Sequence, residues 1–411
     1  MSTSALQVPS SPRNWTPPAV ISAEVTTPVS YWLLLVFLLL LYANLPFVFP
    51  AAEAFRPAKI VAGGAIVALA CEAMMGRRLQ FGWPEGILLA AFVGAAALSC
   101  VTALWPGYAA DALSDLVKMA LMFLFLTNCA ATEKRLRGVM WVMLTGALLP
   151  AVGTIRNYLD GNLYEGRASW VGIFANPNEV AYSLVILLPL AAYLASVSGW
   201  FARIVLLGMV ALYLPAIFVT FSRGGLVGLA AVIVIYAWRH RNIWVYAMLA
   251  VAIAGAIALA GRYWSRGEDF SQLNGDVSFQ ERLATSQAGL EMFVDNPLLG
   301  VGLGCSVVAW PLYAPQDLHT RGALITHNTF VQVLSETGVL GAVPFLLLVA
   351  LSLYHARKLA LQPAIAGLGA AVEGALWGFV VCGMSGGYVL TWFPYLLFGL
   401  MGAARRVGET A

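Results

Sequence analysis

Apolar runs of about 20 residues, broken by short clusters of charge, glycine or proline, recur along almost the whole chain. That is the length at which one α-helix crosses a hydrocarbon core of about 30 Å with its own backbone hydrogen bonds satisfied. The pattern predicts an all-α fold, a polytopic membrane helix bundle of about 12 transmembrane helices. The expected spans are Val29 to Phe49, Pro57 to Met75, Glu85 to Leu104, Ala112 to Ala130, Leu136 to Ile155, Asn178 to Ser198, Phe201 to Val219, Gly225 to Ala237, Trp244 to Ala260, Gly338 to Tyr354, Ala364 to Met384 and Trp392 to Ala403. Residues 1–28, rich in Ser, Pro and Thr, read as a flexible tail, and residues 29–411 as a single transmembrane domain with a long hydrophilic loop at 261–326. A cleaved signal peptide would carry its apolar core much nearer the start.

Composition sharpens this picture. Of 411 residues 60% are hydrophobic and only 10% charged, against about a quarter charged in soluble domains, which excludes a soluble protein. A net charge of +3 without a run of like charges gives no footprint for nucleic acid. The five cysteines, Cys71, Cys100, Cys129, Cys305 and Cys382, are too scattered for a disulfide framework or a zinc knuckle. No internal repeat is apparent, which disfavours transporter folds built on inverted repeats.

Basic residues in short loops concentrate on the cytoplasmic side of a membrane. With the N-terminus inside, the inner loops and their flanks hold twelve (Arg77, Arg78, Lys134, Arg135, Arg137, Arg203, Arg239, Arg241, Arg357, Lys358, Arg405 and Arg406) and the short outer loops five (Arg56, Lys59, Arg156, Arg167 and Arg223). Both termini are therefore expected in the cytoplasm and the loop 261–326 outside. Within that loop Ser278-Phe279-Gln280-Glu281 forms a capping-box pattern, and Phe279, Leu283, Leu290 and Phe293 follow at roughly helical spacing. An amphipathic helix is predicted over Ser278 to Asp295, stopped by Asn296, Pro297 and the glycines after it.

Outer arginines run against the charge bias, so each asks for a reason. Arg223 lies in Thr220-Phe221-Ser222-Arg223-Gly224-Gly225, wedged between two spans; a basic group at a helix centre costs on the order of 2.5 to 3.5 kcal/mol, and snorkelling at a helix end is the bland alternative. Arg282 follows the capping-box glutamate, where a solvated surface arginine would need no comment. Arg167 precedes Phe174-Ala175-Asn176-Pro177-Asn178-Glu179, whose asparagines read as turn and cap residues. Of the four histidines, His240 and His355 fall in basic inner loops, and His319 sits in the outer loop without a motif. His327, in Thr326-His327-Asn328-Thr329-Phe330, stands where the outer loop returns to the membrane. An imidazole can take a proton from a hydroxyl at neutral pH; an interfacial histidine without a task is the alternative. Lys118 falls inside a span and is expected to pair with Asp115 or Asp111, whereas Glu72 and Glu373 also fall inside spans with no assigned role.

These motifs together resemble the O-antigen ligase and polymerase superfamily of membrane glycosyltransferases. The resemblance is carried by Ser222-Arg223-Gly224-Gly225, by Glu281-Arg282-Leu283 with Asn296-Pro297-Leu298-Leu299-Gly300-Val301-Gly302-Leu303-Gly304, and by His327-Asn328 with nine residues before Gly338-Val339. Arg167 with Asn176-Pro177-Asn178 fits as well, so residues 160 to 345 are covered, while the flanking helices match only in number and hydrophobicity. One departure is that Thr285 and Ser286 stand where many relatives carry an aromatic residue.

The resemblance implies an O-antigen ligase of the bacterial inner membrane with its active site on the periplasmic face. The donor would be a glycan on undecaprenyl diphosphate and the acceptor a sugar hydroxyl of the lipid A core oligosaccharide, with membrane lipids around it and no nucleotide, cofactor or metal. His327 would deprotonate the acceptor, and Arg223 and Arg282, assisted by Arg167, would bind the donor diphosphate and stabilise charge on it as it leaves. A magnesium enzyme would want paired carboxylates, and the only adjacent outer pair is Glu268-Asp269. The alternatives are an O-antigen polymerase or a protein O-glycan ligase of the same superfamily, the latter disfavoured because such ligases often carry an extra soluble C-terminal region. A lipid-linked sugar flippase is the alternative of another class.

Overall fold

The computed structural model describes residues 28–48, 51, 55–240, 277–315 and 324–410. Among them the regular structure is helical: α1 (Val29–Ala43), α2 (Leu45–Val48), α3 (Pro57–Met74), α4 (Glu85–Ser99), α5 (Pro106–Cys129), α6 (Glu133–Leu159), α7 (Pro177–Val197), α8 (Trp200–Val219), α9 (Arg223–His240), α10 (Val277–Asp295), α11 (Ser306–Tyr313), α12 (Thr329–Leu359), α13 (Ala366–Gly383) and α14 (Trp392–Thr410). Every expected span on described residues meets a helix; Trp244 to Ala260 lies outside them. Among the described residues six helices, α3, α6, α7, α8, α12 and α13, are long and apolar enough to cross a membrane by length and composition, and α1 and α4 are shorter apolar helices. The chain is a multi-pass, all-α membrane bundle. The first expected span, Val29 to Phe49, is broken at Asn44, whose φ of 52° ends α1 and whose side-chain amide donates to the Val171 carbonyl.

α7 runs through the centre, with every side chain from Val180 to Ala191 buried, whereas α3 lies at the edge with Ile60, Ile66 and Val67 exposed. In a bilayer an outward apolar face is the expected state. The basic residues assigned to inner loops gather at one end of the bundle. Arg77 pairs with Glu72, which also accepts from the Ser30 amide and hydroxyl, and Arg406 donates to the Thr127 carbonyl. At the same end Arg239 and Arg357 pair with Glu373, so both span acids of unassigned role have basic partners there. His355 is not a loop residue: it lies in the last turns of α12, and its Nδ1 and Arg405 both bind the buried Glu85. Lys118 pairs with Asp115 at 2.7 Å on an exposed face of α5. His240's side chain falls outside the described residues.

α12 is broken at Gly338, which has φ 59° and ψ −165°. A break inside a membrane protein frees carbonyls and amides that must find other partners. The segment after α10 supplies them. Val301 and Gly302 amides donate to the Ser335 and Glu336 carbonyls at 2.9 and 3.1 Å, and the Pro297 and Leu298 carbonyls accept from the Val339 and Leu340 amides. A Cβ on Gly338 would meet the Leu298 carbonyl, and one on Gly300 the Ser335 carbonyl. The buried Glu336 carboxylate secures the same junction, accepting from the Ser306 hydroxyl at 2.6 Å, the Gly304 amide at 2.9 Å and the Gln332 amide at 3.1 Å.

α10 spans Val277–Asp295, close to the predicted Ser278 to Asp295, but the buried face is not the expected one. Ala284, Thr285, Ala288 and Met292, spaced four apart or nearly so, pack inward, and Leu283 and Leu290 are exposed. Small residues let the helix lie close against α12, and the large apolar ones turn outward. The side chains of Ser278 and Phe279 lie outside the described residues, so the capping box does too.

Candidate active site

The Ser222-Arg223-Gly224-Gly225 motif starts α9. Phe221, with φ 47°, is buried against Tyr158 and Phe218 and reverses the chain after α8. The Ser222 hydroxyl accepts from the Gly225 amide at 3.2 Å, which caps the new helix. Each glycine has a neighbour that a side chain would strike. A Cβ on Gly224 would collide with the Ser385 and Tyr182 hydroxyls, and one on Gly225 would come within 2.6 Å of Ala181 Cβ. The glycines therefore let Arg223 approach α7 and the turn after α13.

Arg167 is buried in the connection between α6 and α7. Its Nε donates to the Thr220 carbonyl at 2.9 Å and its Nη2 to Asn178 Oδ1 at 2.6 Å. Asn178 Oδ1 also accepts from the Ser222 hydroxyl at 2.7 Å. Asn176 is the cap of α7, accepting from the Asn178 amide at 2.9 Å. Asn178, expected as a turn or cap residue, is instead the link between Arg167 and the start of α9.

Arg282, on the second turn of α10, donates from Nη1 to the Ser385 carbonyl at 2.8 Å. Thr285 and Ser286 hydroxyls fold back onto the Arg282 carbonyl at 3.1 and 2.8 Å. His327 precedes Asn328, the N-cap of α12, whose side chain accepts from the Phe330 and Val331 amides. His327 is largely buried, and burial, then the positive charges of Arg282 and Arg167, push its pKa down to about 4. The imidazole is therefore neutral at pH 7.

One cavity of about 460 Å³ is lined by Arg167, Arg223, Arg282 and His327 together. Phe221, Val227, Leu283, Val381 and Met384 give it apolar walls, and Ser286 and Ser385 add hydroxyls. All four residues singled out from the sequence thus share one space, although they come from four separate elements. His319 and Glu268-Asp269 lie outside the described residues, and among those described no group of three His, Cys, Asp or Glu is placed to hold a metal ion.

Residues 208–346 match a family model described as O-antigen ligase. That segment, about a third of the chain, is similar to the O-antigen ligase family. A search of curated proteins found no match. The matched segment runs from α8 into α12 and includes Arg223, Arg282 and His327. It supplies most of the cationic wall of the cavity, and its Asn296 to Gly304 stretch is the part that repairs the break at Gly338.

Arg167, Tyr182 and Ser385 lie outside the matched segment and reach the same cavity or its immediate support. Tyr182 and Ser385 were missed by sequence reasoning. The available signal was Ser385-Gly386-Gly387, a polar and flexible triplet between two apolar spans on the side assigned as outer. Tyr182, one apolar-looking residue within a span, gave none.

Proposed function

We propose that the chain is an O-antigen ligase, transferring glycan from undecaprenyl diphosphate to a sugar hydroxyl of the lipid A core. The observation that carries this reading is the convergence of Arg167, Arg223, Arg282 and His327 on one cavity. A sugar-diphosphate bond carries its own good leaving group, so the enzyme needs a base for the acceptor and cations for the departing oxygens. The acceptor oxygen attacks the anomeric carbon and its proton passes to His327 Nδ1 or Nε2. The bond from that carbon to the phosphate oxygen breaks, and its electron pair stays on the diphosphate, facing the three guanidinium groups. The products are the glycoside and undecaprenyl diphosphate, and His327 returns its proton to water.

Three arginines supply planar, permanently charged donors suited to phosphate oxygens, so the reaction is proposed to proceed without a metal. The proposed topology has twelve crossings, both termini cytoplasmic, and the cavity on the periplasmic face of the inner membrane; residues 1–28 are the tail and 29–411 one transmembrane domain. It is supported by the basic clusters around Glu72, Glu85 and Glu373, which lie at the end of the helices away from the cavity. The same pairing weighs against a flippase, which would draw on charged groups held mid-membrane without such partners.

Reconstitution tests the reading. Purified chain in liposomes, given undecaprenyl diphosphate-linked glycan, is expected to glycosylate lipid A core and to keep doing so after exhaustive chelation. Elongation of a second lipid-linked repeat instead would make it a polymerase, transfer to a protein acceptor a protein ligase, and translocation without transfer a flippase. Activity lost on chelation and restored by magnesium or manganese would end the metal-free mechanism.

A further inference from the structure

The turn between α13 and α14 touches both working halves of the cavity. Its Ser385 carbonyl accepts from Arg282 Nη1 at 2.8 Å. Its Gly386 carbonyl accepts from the Thr329 hydroxyl at 2.6 Å, and the same hydroxyl oxygen accepts from the Tyr388 amide at 3.0 Å. Thr329 is fully buried and opens α12 two residues after His327. On its other side the turn is held by α7: the Tyr182 hydroxyl lies 2.7 Å from Ser385 Oγ and 3.3 Å from the Ser385 carbonyl oxygen. The Tyr182 and Tyr388 rings meet edge to face at 4.9 Å. A Cβ on Gly387 would lie 2.6 Å from the Thr326 carbonyl oxygen and 2.8 Å from Gln332 Oε1, so a glycine is needed for the turn to close on the stretch of chain that carries His327.

Resting on the ligase reading, we propose that residues 385–388 form a clasp that sets Arg282 relative to His327, with Thr329 and Tyr182 as its two side-chain anchors. Arginine has many rotamers, and α10 alone does not choose among them; a carbonyl from a separate element does. A base and a cation that serve the same reacting bond must be held to a fraction of an ångström, which a brace common to both provides. Thr329 and Tyr182 are positioning residues, since they act through the turn.

The test uses full-length purified protein and two readouts. The first needs no substrate: the pH dependence of His327 modification by diethyl pyrocarbonate, located by peptide mass spectrometry. Arg282 and Arg167 act on His327 through space and Arg223 lines the same cavity, so loosening Arg282 removes part of the charge that suppresses protonation. Thr329→Val keeps the volume and removes both hydrogen bonds; it is expected to raise the modification midpoint by on the order of one pH unit. Arg282→Ala should do the same, the double variant no more, and Thr329→Ser should restore the wild-type midpoint. The second readout is binding of undecaprenyl diphosphate, expected to weaken about tenfold in both Thr329→Val and Arg282→Ala. Tyr182→Phe, which frees the other anchor, should move both readouts in the same direction and serves if Thr329→Val does not fold. Wild-type midpoints in Thr329→Val and Tyr182→Phe, or effects fully additive with Arg282→Ala, would overturn the clasp. A shifted midpoint in Arg282→Ala with undiminished undecaprenyl diphosphate binding would leave the clasp standing and remove the diphosphate role.

Discussion

Arg167 Nη2 donates to Asn178 Oδ1 at 2.6 Å, and the Ser222 hydroxyl donates to the same oxygen at 2.7 Å. One acceptor atom therefore fixes a cavity arginine and the residue that caps the helix bearing Arg223. Asn178→Ala releases both, and a lost hydrogen bond to a charged group is worth about 1.5 to 3 kcal/mol. The expected result is a fall of roughly ten- to hundredfold in kcat/KM for the donor. Asn178→Asp keeps the acceptor but offsets the Arg167 charge, so donor affinity should drop while the fold is retained. Wild-type donor kinetics in Asn178→Ala would remove Asn178 from the site.

The motifs and the membrane-crossing character were legible because both rest on local signals. Runs of apolar residues name their helices, and an arginine where basic residues are scarce asks for a reason. What was not legible depended on which face packs. The stripe Phe279, Leu283, Leu290 and Phe293 followed the usual large-apolar pattern, yet α10 turns Ala284, Ala288 and Met292 inward, because close approach to α12 favours small side chains. Leu283 lines the cavity instead of packing on α12, and periodicity alone does not say which apolar face of a helix is buried. Ser385 and Tyr182 were hidden for a different reason: their relation spans 203 residues of sequence separation and appears only once α7 and the turn after α13 meet.

His327 and the arginines should separate kinetically. His327→Ala removes the proposed base and no diphosphate contact, so turnover should be abolished or severely reduced with donor binding nearly intact. Arg223→Ala and Arg282→Ala should weaken both, and lysine replacements should restore function only in part, because a point charge does not reproduce the planar fork. His319→Ala is the control and should be mild. Full turnover in folded His327→Ala would return that residue to an interfacial role.

Gly338 should be a stability position. Its φ of 59° is one that an L side chain rarely adopts, and an added Cβ meets the Leu298 carbonyl. Gly338→Ala is expected to destabilise by about 1 to 3 kcal/mol and to lower the thermal midpoint in detergent. The same change at Gly300, packed on the Ser335 carbonyl, should act in the same direction. Unchanged midpoints in both variants would mean that the segment after α10 does not support the break.

Topology has its own measurement. A cysteine in the outer loop, Gln272→Cys, should react with an impermeant thiol reagent in intact spheroplasts, above the background of the unmodified chain. Protection of that cysteine until lysis would reverse the proposed orientation and move the cavity to the cytoplasmic face.

The pH dependence of transfer should reveal how the arginines and His327 depend on one another. A protonated His327 could not serve as the proposed base, so the rate is expected to fall as pH drops through its pKa. In the free enzyme that pKa is pushed down to about 4 by burial and by Arg282 and Arg167. The acid limb of kcat/KM, which reports the free enzyme, should therefore lie well below the ordinary imidazole value of about 6.5. A bound diphosphate places negative charge among the same arginines and offsets their effect, raising the pKa; a nearby charge of either sign moves such a group by about 1 to 3 units. The acid limb of kcat, which reports the complex, should consequently lie at higher pH than that of kcat/KM. Residual activity of Arg282→Ala should show a kcat/KM limb shifted upward, since one suppressing cation is gone. Coincident limbs for kcat and kcat/KM in the wild-type enzyme would mean that the diphosphate does not sit against these arginines, and a downward shift in Arg282→Ala would mean that Arg282 does not act on His327 by charge.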